Sequence, residues 1–199
     1  MGAIELIGLA ASLSLLAGWR LYAVVLATGI AMRFGVIDLP QHLGALGALA
    51  SWWVIGAAAL GFVAEFFVDK LAWIDTIWDG IHTFIRPVGG ALIAMAVVDA
   101  GDPGWQIAAF LAGGGAALLS HGAKTGARAV VNTSPEPFSN VAVSAAEDVA
   151  TAGGIWLVLA NPVAAVVVAM VTLGVTIALL ILSWRTIKRL SAWRRGAIR

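Results

Sequence analysis

Residues 163–184 read VAAVVVAMVTLGVTIALLILSW and contain no charged residue and no proline. A helix that crosses the hydrocarbon core of a bilayer, about 30 Å thick, needs about 20 mostly apolar residues. This stretch has that length and composition, whereas core helices of soluble domains are shorter and carry a polar face. Residues 163–184 therefore predict a transmembrane helix.

The composition of the whole chain indicates the same class of protein. Hydrophobic residues make up 61% of the 199 residues and charged residues 12%, against about 45–50% and about 25% in soluble domains. The absence of cysteine excludes disulfides and thiolate metal sites. A formal net charge of +1 gives no reason to expect a nucleic-acid partner.

Polar and proline-containing segments divide the chain into six apolar runs, the last of which is residues 163–184. They cover residues 4–32, 43–67, 82–98, 105–123, 140–160 and 163–184. We therefore predict an all-α polytopic membrane protein with about six transmembrane helices and a single transmembrane domain over residues 1–199. The first run lacks a basic segment and a small-residue cleavage site, so we expect a retained helix and no signal peptide.

Basic residues give the predicted orientation. The tail, residues 185–199, holds Arg185, Lys188, Arg189, Arg194, Arg195 and Arg199, and Lys and Arg are enriched on the cytoplasmic side of membrane proteins. Six crossings then place both termini in the cytoplasm, in a bacterial cytoplasmic (inner) membrane. The polar segment 132–140, with Pro135 and Pro137, becomes a cytoplasmic connection, either a gate or an ordinary loop.

Two features concern helix packing. Residues 86–94 (RPVGGALIA) resemble residues 150–158 (ATAGGIWLV), which suggests a parallel internal repeat of helices 2–3 and 4–5, with chance similarity as the alternative. Gly113, Gly114 and Gly115 predict close approach of the fourth helix to another helix, because glycine lets backbones approach in membranes.

Charged residues fall inside predicted spans. The apolar run after Asp148 is too short to cross a bilayer, so Glu147 and Asp148 lie at membrane depth, and Arg20 lies midway along the first helix. Charges at such depth face the protein interior or a water-filled cavity. We predict that Arg20, His82, Glu147 and Asp148 surround one polar cavity open to the cytoplasm.

The segment from Glu65 to Arg86 alternates polar and apolar faces. Asp75, Asp79 and His82 are spaced i, i+4 and i+7 and share one helical face. This pattern is typical of an interfacial amphipathic helix or a re-entrant element. Carboxylates with a histidine at this spacing fit a divalent cation; the alternative is a solvated face without a metal. No cofactor is otherwise indicated.

Three motifs resemble a known family. Ala17-Gly-Trp-Arg20, Trp73-Ile-Asp-Thr-Ile-Trp-Asp79 and the Gly113-Gly-Gly115 helix are similar to the small membrane proteins grouped as domain of unknown function 4126. The element Trp-x-Asp-x-x-x-Asp is the most specific of the three. The resemblance covers nearly the whole chain and implies a multi-helix membrane fold without implying an activity.

The charges of the two polar connections suggest the transported species. Seven acids stand against four bases, an excess of acids that is the reverse of the usual cytoplasmic bias. The acids are Glu65, Asp69, Asp75, Asp79, Glu136, Glu147 and Asp148, and the bases are Lys70, Arg86, Lys124 and Arg128. The candidate transport site consists of these acids and bases without Glu136 and Lys70. Arg20 and His82 also belong to it.

The functional prediction is a small transporter or channel for a cation or a proton-coupled solute. We expect it to be a homo-oligomer in the bilayer. Two alternatives remain: a membrane-embedded, metal-dependent enzyme that acts on a lipid head group, and a non-catalytic membrane scaffold. The transport prediction requires the acids to be accessible, and the enzyme requires them to converge on a metal ion.

Overall fold

The fold is a bundle of α-helices. The structure, a computed structural model, describes residues 2–35, 47–98, 102–132 and 137–196. Within these ranges it contains six helices and no strand, which confirms the all-α prediction. The helices are α1 (Ala3–Arg33), α2 (Trp52–Val68), α3 (Ala72–Val98), α4 (Pro103–Val131), α5 (Pro137–Ala160) and α6 (Pro162–Gly196).

Several helices have the length and composition of membrane spans. Four segments qualify: Ala3–Arg33, Trp73–Val98, Phe138–Ala160 and Val163–Arg189. Large apolar side chains such as Trp53, Leu60 and Phe84 point outward, whereas Arg20, Arg86 and Arg128 are buried. This distribution suits a bundle surrounded by lipid, because lipid accepts apolar surface and excludes charge.

Some predicted helix limits were wrong. Helix α2 begins at Trp52, and the hydroxyl of the preceding Ser51 accepts a hydrogen bond from the Val54 amide at 3.3 Å. The predicted start at Leu43 lies in residues 36–46, outside the described residues. The amphipathic segment before residue 82 is no separate interfacial element, because α3 is continuous from Ala72. Helix α6 runs past residue 184 into the basic tail.

The most consequential difference lies in α1. Arg20 has φ −143° and ψ 76°, which is extended backbone inside an otherwise helical segment. The break divides α1 into a first arm, residues 3–19, and a second arm, residues 21–33. Residues 3–33 contain no proline, and Gly18, two residues before the break, does not by itself predict one because glycine is common in transmembrane helices.

The first arm runs alongside α3, α4 and α6. Gly8 packs against Val166 near the start of α6, and the Ser14 hydroxyl donates to the Gly90 carbonyl of α3 at 3.0 Å. Gly18 packs against Ala117 of α4. The arm therefore leads from the end of the bundle where α6 begins towards its middle.

The second arm runs antiparallel to α2. The ring of Tyr22 packs on Gly61, Gly29 packs against Ile55, and the Arg33 guanidinium lies 4.9 Å from the Trp52 ring centre. Later residues of the arm thus meet earlier residues of α2, so the chain has reversed direction at Arg20. Helix α1 is a helical hairpin with Arg20 at its tip.

The hairpin changes the topology that the sequence suggested. We call the end of the bundle where α2 and α4 finish and α3 and α5 begin the polar end, and the opposite end the far end. Both ends of α1 lie at the far end, whereas α6 finishes at the polar end, where Ser183 meets Gly126. The predicted arrangement with both termini at one end does not fit these contacts.

Candidate functional site

Polar residues of α3 occupy one face of its first half. Asp75, Asp79, His82 and Arg86 follow each other at helical spacing, and all four are buried. Trp73, on the other side of the helix, is 70% exposed. This polar face, for which the sequence allowed exposure to solvent as an alternative, therefore points into the bundle.

Two neighbouring helices contribute matching faces at the polar end. Polar residues recur at one-turn intervals along α4 and α5, and all of them are buried except the partly exposed Glu147. On α4 they are Ser120, His121, Lys124 and Arg128; on α5 they are Asn140, Ser144, Glu147 and Thr151. Because α3, α4 and α5 pack around the tip of α1, their polar faces meet there.

Asp69, in the turn between α2 and α3, is the centre of the resulting ionic network. Its Oδ2 atom lies 2.6 Å from Arg20 Nη1, 2.7 Å from Lys124 Nζ and 3.5 Å from Arg128 Nη2. Three basic side chains therefore share one carboxylate oxygen of Asp69, which is itself 0% exposed.

Arg20 joins the hairpin tip to α5. Its Nη2 atom lies 2.9 Å from Asp148 Oδ1 and 3.7 Å from Glu147 Oε2, and it donates to the Ser144 carbonyl at 3.3 Å. The side chain is only 1% exposed. A planar guanidinium presents its N–H donors in a fixed fork and can bind two carboxylates through separate nitrogens, whereas a lysine ammonium is a compact point charge.

The break also frees backbone carbonyls at the end of the first arm. Gly18 O accepts a hydrogen bond from Arg86 Nη1 at 3.1 Å, and Trp19 O accepts one from Lys124 Nζ at 3.4 Å. Carbonyls at a helix C-terminus lack intrahelical partners and carry partial negative charge. Two cationic side chains from α3 and α4 therefore stabilise the broken backbone.

Arg86 forms a second centre, deeper in the bundle. Its Nη2 atom lies 2.5 Å from Glu65 Oε1, and its Nη1 atom is 2.7 Å from His121 Nδ1. A guanidinium only donates hydrogen bonds, so His121 Nδ1 accepts and carries no proton. The proton of the neutral ring is then on Nε2, which lies 3.0 Å from the Asp79 carbonyl.

Arg128 closes the network towards the polar end. It donates to Asn140 Oδ1 at 2.7 Å and to the Asp69 carbonyl at 2.6 Å, and it lies 3.5 Å from Asp75 Oδ1. Asn132 donates to the other oxygen of Asp75 at 3.2 Å. The first turns of α3 and α5 are thus tied to the end of α4.

One side of the network reaches the surface. The side chains of Glu147, Asp148 and Lys70 are 13%, 20% and 23% exposed. Lys70 Nζ is 3.5 Å from Asp148 Oδ2. The network is therefore accessible from the surface of the bundle at these three side chains.

The network contains more carboxylates than basic side chains. Within the described ranges it joins six carboxylates to five basic side chains, which is a formal charge of −1 with every acid and base ionised and both histidines neutral. The carboxylates belong to Glu65, Asp69, Asp75, Asp79, Glu147 and Asp148, and the bases are Arg20, Lys70, Arg86, Lys124 and Arg128.

A family model matches residues 7–182 of the chain, with the description Domain of unknown function (DUF4126). The chain belongs to the DUF4126 family. Neither the curated proteins nor the solved structures compared with the chain contain a match. The family assignment agrees with the resemblance carried by the Ala17–Arg20, Trp73–Asp79 and Gly113–Gly115 motifs.

The predicted metal ligands of this DUF4126 protein do not converge. His82 Nδ1 lies 2.8 Å from the Trp78 carbonyl and His82 Nε2 lies 3.0 Å from the Tyr22 hydroxyl. Asp75 and Asp79 instead face basic side chains. No group of three or more His, Asp or Glu side chains in the described part of the chain is arranged to hold a metal ion.

The predicted transport residues do come together in this DUF4126 protein, but they contact each other directly and do not line the predicted open cavity. Ten of them take part in the ion pairs above, and His82 lies beside the network against Tyr22. Two cavities, of about 270 and 450 Å³, are lined by other residues, the first by Ile7, Ala94 and Trp105 at the far end. Glu136 lies outside the described residues.

Several members of the network were missed by sequence reasoning. Asn140, Ser144 and Asn132 are uncharged, and Tyr22 and His121 lie in runs that read as apolar. The spacing Asn140, Ser144, Glu147, Thr151 was a usable signal, because four polar residues at i, i+4, i+7 and i+11 mark one helical face.

Proposed function

We propose that this DUF4126 protein is a small transporter or channel for a cation or a proton-coupled solute, and that the ionic network is its coupling site. The observation that carries the proposal is the convergence of buried carboxylates and basic side chains at the tip of a broken, re-entrant helix.

The orientation follows from the basic tail. Arg185, Lys188 and Arg189 end the described part of α6 at the polar end, so the polar end faces the cytoplasm under the positive-inside rule. The first residues of α1 then face the opposite side of the membrane. This replaces the cytoplasmic N-terminus expected from six crossings, since a hairpin adds no crossing.

The depth of the hairpin tip supports a transport role. At about 1.5 Å per residue the first arm is about 25 Å long, in a hydrocarbon core of about 30 Å. Arg20 and its partners thus lie within the core, towards its cytoplasmic side; a charge at the centre of the core costs about 3 kcal/mol on insertion scales. Buried charges at such depth commonly mark ion pathways.

Broken helices are a recurring device for ion sites in transporters. Non-helical backbone at membrane depth is tolerated where protein covers it or where it lines a pathway, and the carbonyls of half-helix C-termini coordinate cations. Here the carbonyls of Gly18 and Trp19 have this position. Asp148 and Glu147, partly exposed beside them, are the carboxylates best placed to take up a proton or cation from the cytoplasm.

Flux through reconstituted protein tests the proposal. The parent and the variants Glu147→Gln and Asp148→Asn are placed in liposomes, and proton or cation flux is followed with an entrapped indicator. We expect flux in the parent and a loss of at least about tenfold in both variants. Glu5→Gln is the matched control, because it neutralises a carboxylate at the far end while preserving the hydrogen-bonding group that contacts the Gly2 amide.

Three results would contradict the proposal. Equal flux in the parent and both network variants would show that the acids are not on the pathway. Equal loss in Glu5→Gln would show that the effect is unspecific. No flux in the parent for protons, sodium or potassium would remove transport of these ions and leave the network as a structural device.

A further inference from the structure

The ammonium group of Lys124 occupies a pocket of oxygen atoms at the hairpin tip. Its Nζ atom lies 2.7 Å from Asp69 Oδ2, 3.4 Å from Trp19 O, and 3.9 Å from both Asp79 Oδ1 and Glu147 Oε2. The four oxygens come from α1, the turn before α3, α3 itself and α5. The Lys124 side chain is 1% exposed, so water contributes little to its solvation.

This set of atoms is the donor set of a cation site. Hard cations prefer carboxylate and carbonyl oxygens, and Trp19 O belongs to the C-terminal end of a half-helix, where the backbone carries partial negative charge. A lysine ammonium is a compact point charge with no fixed fork. It therefore resembles a bound monovalent cation that is tethered to α4.

Two carboxylate oxygens beside Lys124 lack a hydrogen bond. Among the described residues, Asp69 Oδ1 has no hydrogen-bond partner although its side chain is 0% exposed, and Asp79 Oδ1 has only ion-pair neighbours, Arg86 Nη1 at 3.5 Å and Lys124 Nζ at 3.9 Å. A carboxylate oxygen buried to this degree without a hydrogen bond is costly. Asp69 Oδ2 lies at hydrogen-bond distance from the ammonium, whereas the contacts of 3.9 Å with Asp79 and Glu147 exceed both an ammonium hydrogen bond and the bonds of a bare ion.

We propose that these oxygens form a binding site for a monovalent cation and that Lys124 is its built-in competitor. The inference rests on the proposed cation transport and names the ligand class. With Lys124 in the pocket the network has a formal charge of −1, so a single monovalent ion balances it. Entry of the ion beside Asp69 displaces the ammonium towards Glu147, the partly exposed neighbour.

Removing the lysine should expose the site. Lys124→Ala is purified in detergent, and its thermal unfolding is followed in potassium, sodium or methylammonium chloride against choline chloride at equal concentration. Choline is too large for a pocket that holds one ammonium group. We expect a saturable rise of about 5 °C or more with at least one small cation.

Two controls separate a site from a general charge effect. Lys70→Ala removes the same charge from the same network, but its Nζ atom contacts Asp148 and the Phe66 carbonyl instead of the hairpin tip. Lys124→Met removes the charge and keeps most of the side-chain volume in the pocket. Neither variant should show a rise that distinguishes small cations from choline.

The outcomes are decisive in either direction. No cation-specific rise in Lys124→Ala, or an equal rise in Lys70→Ala, overturns the proposed site. If Lys124→Ala cannot be purified in choline, Lys124→Gln is measured instead; its amide can contact Asp69, and lack of a rise in that variant also overturns the site. This assay needs no membrane, so it separates the two proposals. Cation binding by Lys124→Ala without flux in the parent contradicts only the proposed transport. Flux in the parent without cation binding by Lys124→Ala contradicts only the competitor role of Lys124.

Discussion

Replacing Arg20 by alanine should destabilise the protein more than any comparable change of an exposed arginine. The change removes the contacts of Arg20 with Asp69 at 2.6 Å and with Asp148 at 2.9 Å. Asp69 keeps Lys124 and Arg128, whereas Asp148 keeps only Lys70 at 3.5 Å. The variant therefore leaves buried negative charge with too few partners, at a break in the backbone.

The size of the effect follows from the burial of the pair. Removing one partner of a buried ion pair costs about 3–5 kcal/mol. For a chain of 150–250 residues, 1 kcal/mol corresponds to about 2–4 °C in Tm. We therefore expect the Arg20→Ala variant to unfold about 6–20 °C below the parent protein. Arg20→Lys should fall in between, because an ammonium keeps the charge but lacks the two nitrogens by which Arg20 binds Asp69 and Asp148 separately.

The assay is thermal unfolding in detergent, followed by tryptophan fluorescence. Arg33→Ala is the matched control, since Arg33 belongs to the same helix, is exposed and contacts the Trp52 ring at 4.9 Å. Such a cation–π contact is worth about 0.5–1 kcal/mol. If Arg20→Ala unfolds within about 2 °C of Arg33→Ala, the buried ion pairs of the hairpin tip do not stabilise the fold and the argument fails.

Two further predictions concern topology and packing. A cysteine replacing Ala3 should react with an impermeant thiol reagent in intact cells, and a cysteine replacing Ala192 should not, because α1 returns to the side of the membrane from which it enters. Protection of Ala3→Cys, or labelling of Ala192→Cys, would contradict the re-entrant arrangement. Gly113→Leu should lower stability by about 1–3 kcal/mol, because a Cβ there would meet Ala94 and the Gly90 carbonyl, whereas Gly115→Leu should be nearly neutral because Gly115 faces open space. Equal melting temperatures for these two variants would show that α3 and α4 do not depend on close contact at Gly113.

The sequence identified most members of the ionic network without revealing their pairing. Depth arithmetic placed Glu147 and Asp148 at membrane level and pointed to Arg20 as their partner, and these residues are in contact. It also placed His82 with them, whereas His82 contacts Tyr22 and Trp78. Depth along one helix says which level a residue occupies, but not towards which neighbour its side chain turns.

The re-entrant element was expected in the wrong place. The alternation of faces between Glu65 and Arg86 suggested it there, yet these residues belong to the end of α2, a turn and a continuous α3. The hairpin is α1, whose apolar run resembles an ordinary transmembrane helix. Its break is stabilised by Arg86 and Lys124, which bind the carbonyls of Gly18 and Trp19, and no pattern within residues 3–33 contains those partners.

The sequence by itself determined that this is an all-helical membrane protein with buried charges near one end. Those conclusions depend on composition, on the length of apolar runs and on helical spacing, all of which are local properties of the chain. Only the tertiary structure decided that α1 turns back at Arg20, that α1 and α6 end on opposite sides, and that Lys124 sits among oxygens of four segments. The physical reason is that a buried charge is stable only where its partners converge, and here those partners come from segments between residues 18 and 148 that folding alone brings together.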